Sequence, residues 1–149
     1  MHAVDDWSRT MAKLRHLALQ VPDLDIAGDF YKSVFDLEQV VRADTPFGNV
    51  LMLSDGVINL TLLNFPEGTK GMVNGPNWAG LHHMGFIIDD AEETIKKIER
   101  YGGKYFTTLP EGYEGIQAEV KYKDPNGVVF DISEHAWVTQ RLERPEAAE

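Results

Sequence analysis

A chain of 149 residues, 43% of them hydrophobic, suits one globular domain or two small modules sharing a core, and no stretch approaches the roughly 20 apolar residues of a membrane span. The absence of cysteine excludes disulfides, thiolate metal sites and cysteine nucleophiles. The formal charge of −10 speaks against a nucleic-acid partner, which needs clustered Lys and Arg to displace counterions from phosphates.

The opening MHAVDDWSRTM lacks the basic start and apolar block of a signal peptide. Residues 1–12 are therefore expected to be a disordered lead-in, and the location cytoplasmic. From Lys13 to Val21, KLRHLALQV has the dense apolar content of a strand. PDLD follows with Asp23 or Asp25 as helix cap, and Ile26, Phe30 and Val34, flanked by Ala27, Tyr31 and Phe35, make a helical stripe. Strands are expected around Glu38–Arg42, Gly48–Leu53 and Val57–Leu63.

The order then repeats. LHHMGFII reads as a strand, Asp89 or Asp90 caps AEETIKKIER, Ile95 and Ile98 supply the stripe, and Gly102 stops the helix. Strands follow at Lys104–Thr107, IQAEVKY and, after the DPNG turn, VVFDIS. Leu14 and Leu81, His16 and His83, and Asp23 and Asp90 are each 67 residues apart. The chain thus divides into a module at 13–63, a Gly- and Pro-rich linker at 64–80, a second module at 81–134 and a tail at 135–149.

Alternate residues of a strand face opposite ways. In the first strand Leu17, Leu19 and Val21 share a face, leaving His16 with Ala18 and Gln20 on the other. Ile58, Leu60 and Leu62 leave Asn59 and Thr61 opposite; Met84, Phe86 and Ile88 leave His83 opposite, with His82 on the helix-facing side at the strand edge. If Gly127 takes the left-handed position of a three-residue turn, Lys121 pairs with Asp131, and both share a face with Gln117 and Glu119. Four strands therefore send His16, Asn59, His83 and Asp131 to one side. Each residue alone is as well explained as a structural or solvated group. Together, two imidazoles and a carboxylate on rigid strands can chelate a divalent metal and leave coordination positions open.

With those residues in place the chain resembles the vicinal oxygen chelate superfamily, which includes glyoxalase I, methylmalonyl-CoA epimerase, extradiol dioxygenases and the fosfomycin- and bleomycin-resistance proteins. The resemblance is carried by LRHLALQVPDLDIAGDFYKSVFDLE, GLHHMGFIIDDAEE and KDPNGVVFDI. It implies an α+β fold of two paired βαβββ modules, forming a curved, barrel-like mixed sheet with helices outside. It also implies His16, His83 and Asp131 as ligands, with Asn59 at a position that is Glu or Gln in glyoxalase I-like and epimerase members. Asp131 is shorter than the usual Glu, and Asn59 is a weak donor, so the set is closer to a facial His-His-carboxylate triad. Asn59, with Thr61, remains a candidate fourth-ligand or pocket position.

The implied function is a metal-dependent glyoxalase-like lyase or isomerase (epimerase). It would act on a small oxygen-rich carbonyl compound through a metal-stabilised enediolate, using Fe, Mn, Ni, Zn or Co. Glu119 is the candidate base and Lys121 the candidate holder of an anionic group, or a partner of Asp131 or Glu119; a plain charged strand edge explains AEVKYKD as well. The rivals are an Fe(II) extradiol-type dioxygenase and a metal-free small-molecule binder of bleomycin-resistance type. The partners expected are a small-molecule substrate and a second copy of the chain, as a homodimer, with no membrane or nucleic acid. His135 and Trp137 either pack the tail onto the domain or build the pocket rim, and the linker with Trp78 is either a lid or a connector.

Overall fold

The structure, a computed structural model, describes residues 12–46, 48–107 and 120–141. Its elements run β1 (Lys13–Gln20), α1 (Leu24–Phe35), β2 (Glu38–Thr45), β3 (Gly48–Ser54), β4 (Asn59–Asn64), β5 (Gly80–Ile87), α2 (Ala91–Arg100), β6 (Lys104–Thr107), β7 (Val120–Lys123) and β8 (Val129–Ser133). The described residues fall into two compact units. Residues 15–84 with 137–141 make the first; residues 12–14 with 85–107 and 120–136 make the second. The division runs through β5 after Met84.

In the first unit the strands are bonded in the order β2-β3-β4-β1-β5. β1 and β4 are parallel, with His16 opposite Asn59 and Ala18 opposite Thr61, while β2-β3 and β3-β4 are antiparallel. Parallel neighbours need a crossover, here α1, β2 and β3. Asp23 starts α1 by accepting from the Ile26 N–H at 2.9 Å, which settles the cap on Asp23, and Asp36 ends the helix at φ 56°. The core of this unit is Val21, Leu24, Leu51, Leu53 and Leu62, with Leu19, Ala27, Tyr31, Leu37 and Leu60 packed against it. The stripe of α1 is thus set differently from the sequence expectation. Leu24, Ala27, Gly28 and Tyr31 face the sheet, and Ile26, Phe30, Val34 and Phe35 are exposed. A helix with apolar residues on two sides has no unique buried face until the sheet selects one.

In the second unit the order is β5-β8-β7-β6, and β7 is antiparallel to both β6 and β8. Gly127 is left-handed at φ 87°, and Lys121 stands opposite Asp131, as the turn chemistry requires. Asp90 caps α2 by accepting from the Glu93 N–H. Past Tyr101, Gly102 at φ 88° lets its N–H reach Glu99 O while the Gly103 N–H reaches Ile98 O, a Schellman ending. The core here is Ile88, Tyr122 and Ile132, with Phe86, Ala91, Ile95, Ile98, Val120 and Phe130 around it. The fold is α+β with a mixed sheet, in which β2 and β6 are the terminal strands of the hydrogen-bonded order among the described residues.

Candidate functional site

The polar face expected from strand parity is buried. His16, Gln20, Asn59, Thr61, His83 and Asp131 are all at most 5% exposed, and Asn59 and Asp131 are fully enclosed. Such groups are tolerated only with hydrogen-bond partners, so the partners reveal what the face is arranged to do.

In the first unit the parallel register sets His16 beside Asn59, and the His16 Nδ1 lies 2.9 Å from Asn59 Oδ1. The Asn59 amide cannot be turned the other way, because its Nδ2 donates to Val138 O at 2.8 Å, an atom that only accepts. Thr61 Oγ donates to the same Asn59 Oδ1 at 2.7 Å. His16 therefore carries its proton on Nδ1 and presents the Nε2 lone pair. Trp137, 3% exposed, stacks on the His16 ring with centroids 4.9 Å apart and planes within 2°.

The second imidazole is fixed by a similar chain. His82 Nε2 lies 2.7 Å from Gly71 O, an acceptor, so a neutral His82 has its hydrogen there and a lone pair on Nδ1. That Nδ1 is 2.7 Å from His83 Nδ1, which must then be the donor. His83 is left with its lone pair on Nε2. The two Nε2 atoms, of His16 and His83, stand 3.1 Å apart. Two lone pairs facing at that distance repel unless a cation lies against both, either a proton held by one ring or a metal ion. Nitrogens bound to one ion at about 2.0–2.1 Å, at tetrahedral or octahedral angles, are about 2.9–3.4 Å apart. The histidine pair fits a shared metal, and each ring is oriented from behind as ligating imidazoles are.

In the second unit Lys121 Nζ donates to Asp131 Oδ1 at 2.6 Å, with Lys121 only 17% exposed. Of the two roles set out for Lys121, the structure shows the pairing with Asp131. A hydrogen-bonded carboxylate on a rigid strand suits metal ligation, since its two oxygens can be addressed separately. Ser133 donates to His135 O and accepts from the His135 N–H, a local turn that leaves His135 exposed. The candidate base Glu119 lies outside the described residues.

The Asn59 amide is engaged at both ends, and it stands behind His16. Three residues gain a place that sequence alone does not give them. Strand parity puts His82 on the helix-facing side, yet its ring reaches round to His83. Trp137, readable from sequence as tail packing or as pocket rim, backs His16. Gln20 bolts the linker down, donating to Val73 O and Gly75 O and accepting from the Val73 N–H. Only Gln20's parity with His16 hinted at such a role.

The sequence profile described as "Glyoxalase/Bleomycin resistance protein/Dioxygenase superfamily" matches residues 13–132. None of the curated proteins matches the chain. Among solved structures, the hypothetical protein BH1468 from Bacillus halodurans C-125 is 18% identical, with TM-score 0.66 over 91% of this chain and 99% of that one. A methylmalonyl-CoA epimerase in complex with methylmalonyl-CoA and NH4+ is 21% identical, with TM-score 0.63 over 83% and 94%. The methylmalonyl-CoA epimerase from Mycobacterium tuberculosis is 14% identical, with TM-score 0.64 over 88% and 93%. At these identities the structural likeness speaks for the fold. With the profile covering most of its length, the chain belongs to the Glyoxalase/Bleomycin resistance protein/Dioxygenase superfamily.

Proposed function

We propose that the protein is a metal-dependent isomerase of epimerase type, with His16, His83 and Asp131 holding a divalent ion, and a small oxygen-rich carbonyl compound as substrate. The observation that carries the reading is the 3.1 Å approach of the two Nε2 atoms, each made a lone-pair nitrogen by its own hydrogen-bonded support. All three proposed ligands are buried. The epimerases among the structural neighbours favour proton transfer beside a carbonyl over the lyase, dioxygenase and metal-free binder readings.

When bound, the ion supplies Lewis-acid polarisation of a substrate carbonyl, which acidifies the adjacent C–H. The chain's residues do the rest. Asn59 and Thr61 keep His16 in the Nδ1–H form, Lys121 holds Asp131 by one oxygen, and Trp137 excludes water from one face of the His16 ring. Glu119 is assigned the proton transfer on its sequence parity with Lys121 and Asp131. A homodimer belongs to the same proposal, and light scattering would show about twice the 16.8 kDa of one chain.

The test is exchange of the α-hydrogen for deuterium in D2O, followed by proton NMR over a panel of 2-substituted carbonyl acids and thioesters. Exchange that needs added divalent metal, and disappears in His16→Ala, His83→Ala and Glu119→Gln, is the expected result. Failure of the wild-type protein to bind Fe(II), Mn, Ni, Co or Zn at one ion per chain would overturn it. Fe(II)-specific O2 uptake with a catechol would promote the dioxygenase instead.

A further inference from the structure

We infer that His82 is a positioning residue that sets the tautomer and ring orientation of His83, taking its own direction from the linker carbonyl of Gly71. The inference rests on the proposed role of His83 as a metal ligand and deepens it.

Adjacent residues of a strand point to opposite faces, so His82 and His83 should not meet. Their rings nevertheless lie 5.0 Å apart at 75°, with the two Nδ1 atoms at 2.7 Å. An imidazole pair at that distance has one donor and one acceptor, and something outside the pair must decide which is which. Gly71 O decides it by taking the Nε2 hydrogen of His82 at 2.7 Å. The consequence passes along the chain: His82 Nδ1 accepts, His83 Nδ1 donates, and His83 Nε2 turns its lone pair toward His16. Were the Gly71 carbonyl elsewhere, a neutral His83 would be equally served with its hydrogen on Nε2, where it would block metal binding.

The anchor is built, not incidental. Gly71 has φ 107°, a conformation that disfavours any side chain, and a Cβ there would press on the Phe65 ring at 3.2 Å. Phe65 in turn packs on His82, with ring centroids at 5.2 Å. Two residues further on, Gln20 holds the same segment by three hydrogen bonds to Val73 and Gly75. Gln20 shares the face of β1 that carries His16. The linker that joins the two sequence repeats is thereby tied to the ligand strand, and it presents one carbonyl to one histidine.

Three forms of the full chain test this: wild type, His82→Asn, whose short amide oxygen can replace the accepting nitrogen, and His82→Phe, which keeps a ring and removes the acceptor. The first readout is the nitrogen-15 shifts of the His83 ring in chelator-treated protein at about pH 8, above the ordinary histidine pKa of about 6.5. The second is zinc affinity by competition with a chromogenic chelator. Wild type and His82→Asn should show a protonated Nδ1 on His83, with zinc affinities within a few-fold of each other. His82→Phe should show mixed tautomers and an affinity lower by about 10–100-fold, the usual effect of losing a ligand's supporting partner. A wild-type His83 unprotonated on Nδ1, or Nδ1 protonation and affinity unchanged in His82→Phe, would overturn the inference. Absence of zinc binding in wild type, with the tautomer still controlled by His82, would remove the metal reading and leave the positioning role standing.

Discussion

His16 and Asn59 stand directly opposite each other on parallel strands, 43 residues apart in sequence, and the Asn59 oxygen takes the Nδ1 hydrogen of His16 at 2.9 Å. The contact converts a histidine that could present either nitrogen into one that presents Nε2. Asn59→Leu removes that acceptor and abandons Val138 O and Thr61 Oγ inside the protein. The expected outcome is a stability loss of about 1–3 kcal/mol per abandoned group in urea unfolding. Metal affinity should fall by about 10–100-fold. Asn59→Asp keeps the acceptor for His16 but faces Val138 O with a second one, so it should recover affinity better than stability.

Trp137 is almost completely buried and lies flat against His16. Truncating a buried aromatic side chain costs about 3–5 kcal/mol. Trp137→Ala should therefore lower the thermal midpoint strongly and loosen His16. Trp137→Phe should retain stacking and most of the stability. If Trp137→Ala melts like the wild type, the segment at 137–141 is not part of the first unit's packing.

Lys121 and Asp131 form an ion pair in which the carboxylate is fully enclosed. Removing one partner from a buried pair leaves an uncompensated charge, at a cost of about 3–5 kcal/mol. Lys121→Met should show that loss in chelator-treated protein. A bound divalent ion would itself compensate the carboxylate, so added zinc should return part of the stability to Lys121→Met. Equal losses with and without zinc would count against Asp131 as a ligand.

Asp55 makes the turn between β3 and β4, accepting from the Ile58 and Val57 N–H groups at 2.8 Å each. Those two hydrogen bonds, Ile58 first, hold its carboxyl below the ordinary carboxylate value. A group with a depressed folded-state pKa contributes stability that is complete above its unfolded value of about 3.9 and is lost as pH falls through the folded value. Asp25 is lowered too, by its hydrogen bond to Arg42, and acts in the same window. Comparing wild type with Asp55→Asn isolates the turn. The stability difference between them should be flat above about pH 5 and shrink as the pH drops below 4. A constant difference down to pH 2 would mean that the carboxylate charge is not what the turn uses.

Gln20→Ala cuts the three hydrogen bonds that hold Val73 and Gly75. Limited proteolysis should then nick the 66–78 segment faster, and His83 should lose affinity for metal if the Gly71 carbonyl drifts from His82. Unchanged cleavage would show that Phe65 and His82 hold the linker without Gln20.

Both strand–helix repeats, the helix starts with a cap at Asp23 or Asp25 and at Asp89 or Asp90, the glycine stops and turns at Gly102 and Gly127, and the pairing of Lys121 with Asp131 were legible in the sequence; the structure chose Asp23 and Asp90. Those features depend on residues within a few positions of one another, where backbone periodicity and turn chemistry act. Parity alone also placed His16, Asn59, His83 and Asp131 on the buried polar face, because alternation along a strand needs no knowledge of the partner. What the tertiary structure decided depends on contacts between distant residues. Ile26, Phe30 and Val34 look like the buried stripe of α1 until the sheet takes Leu24, Ala27, Gly28 and Tyr31 instead. The direction of the Asn59 amide is set by Val138, 79 residues on, which takes its nitrogen and turns its oxygen to His16. His82 reads as an edge residue until a linker carbonyl gives its ring a direction, and Trp137 has no assignable place until it stacks on His16. Which atom of a polar side chain faces the site is set by what stands behind it, and local sequence does not encode that neighbour.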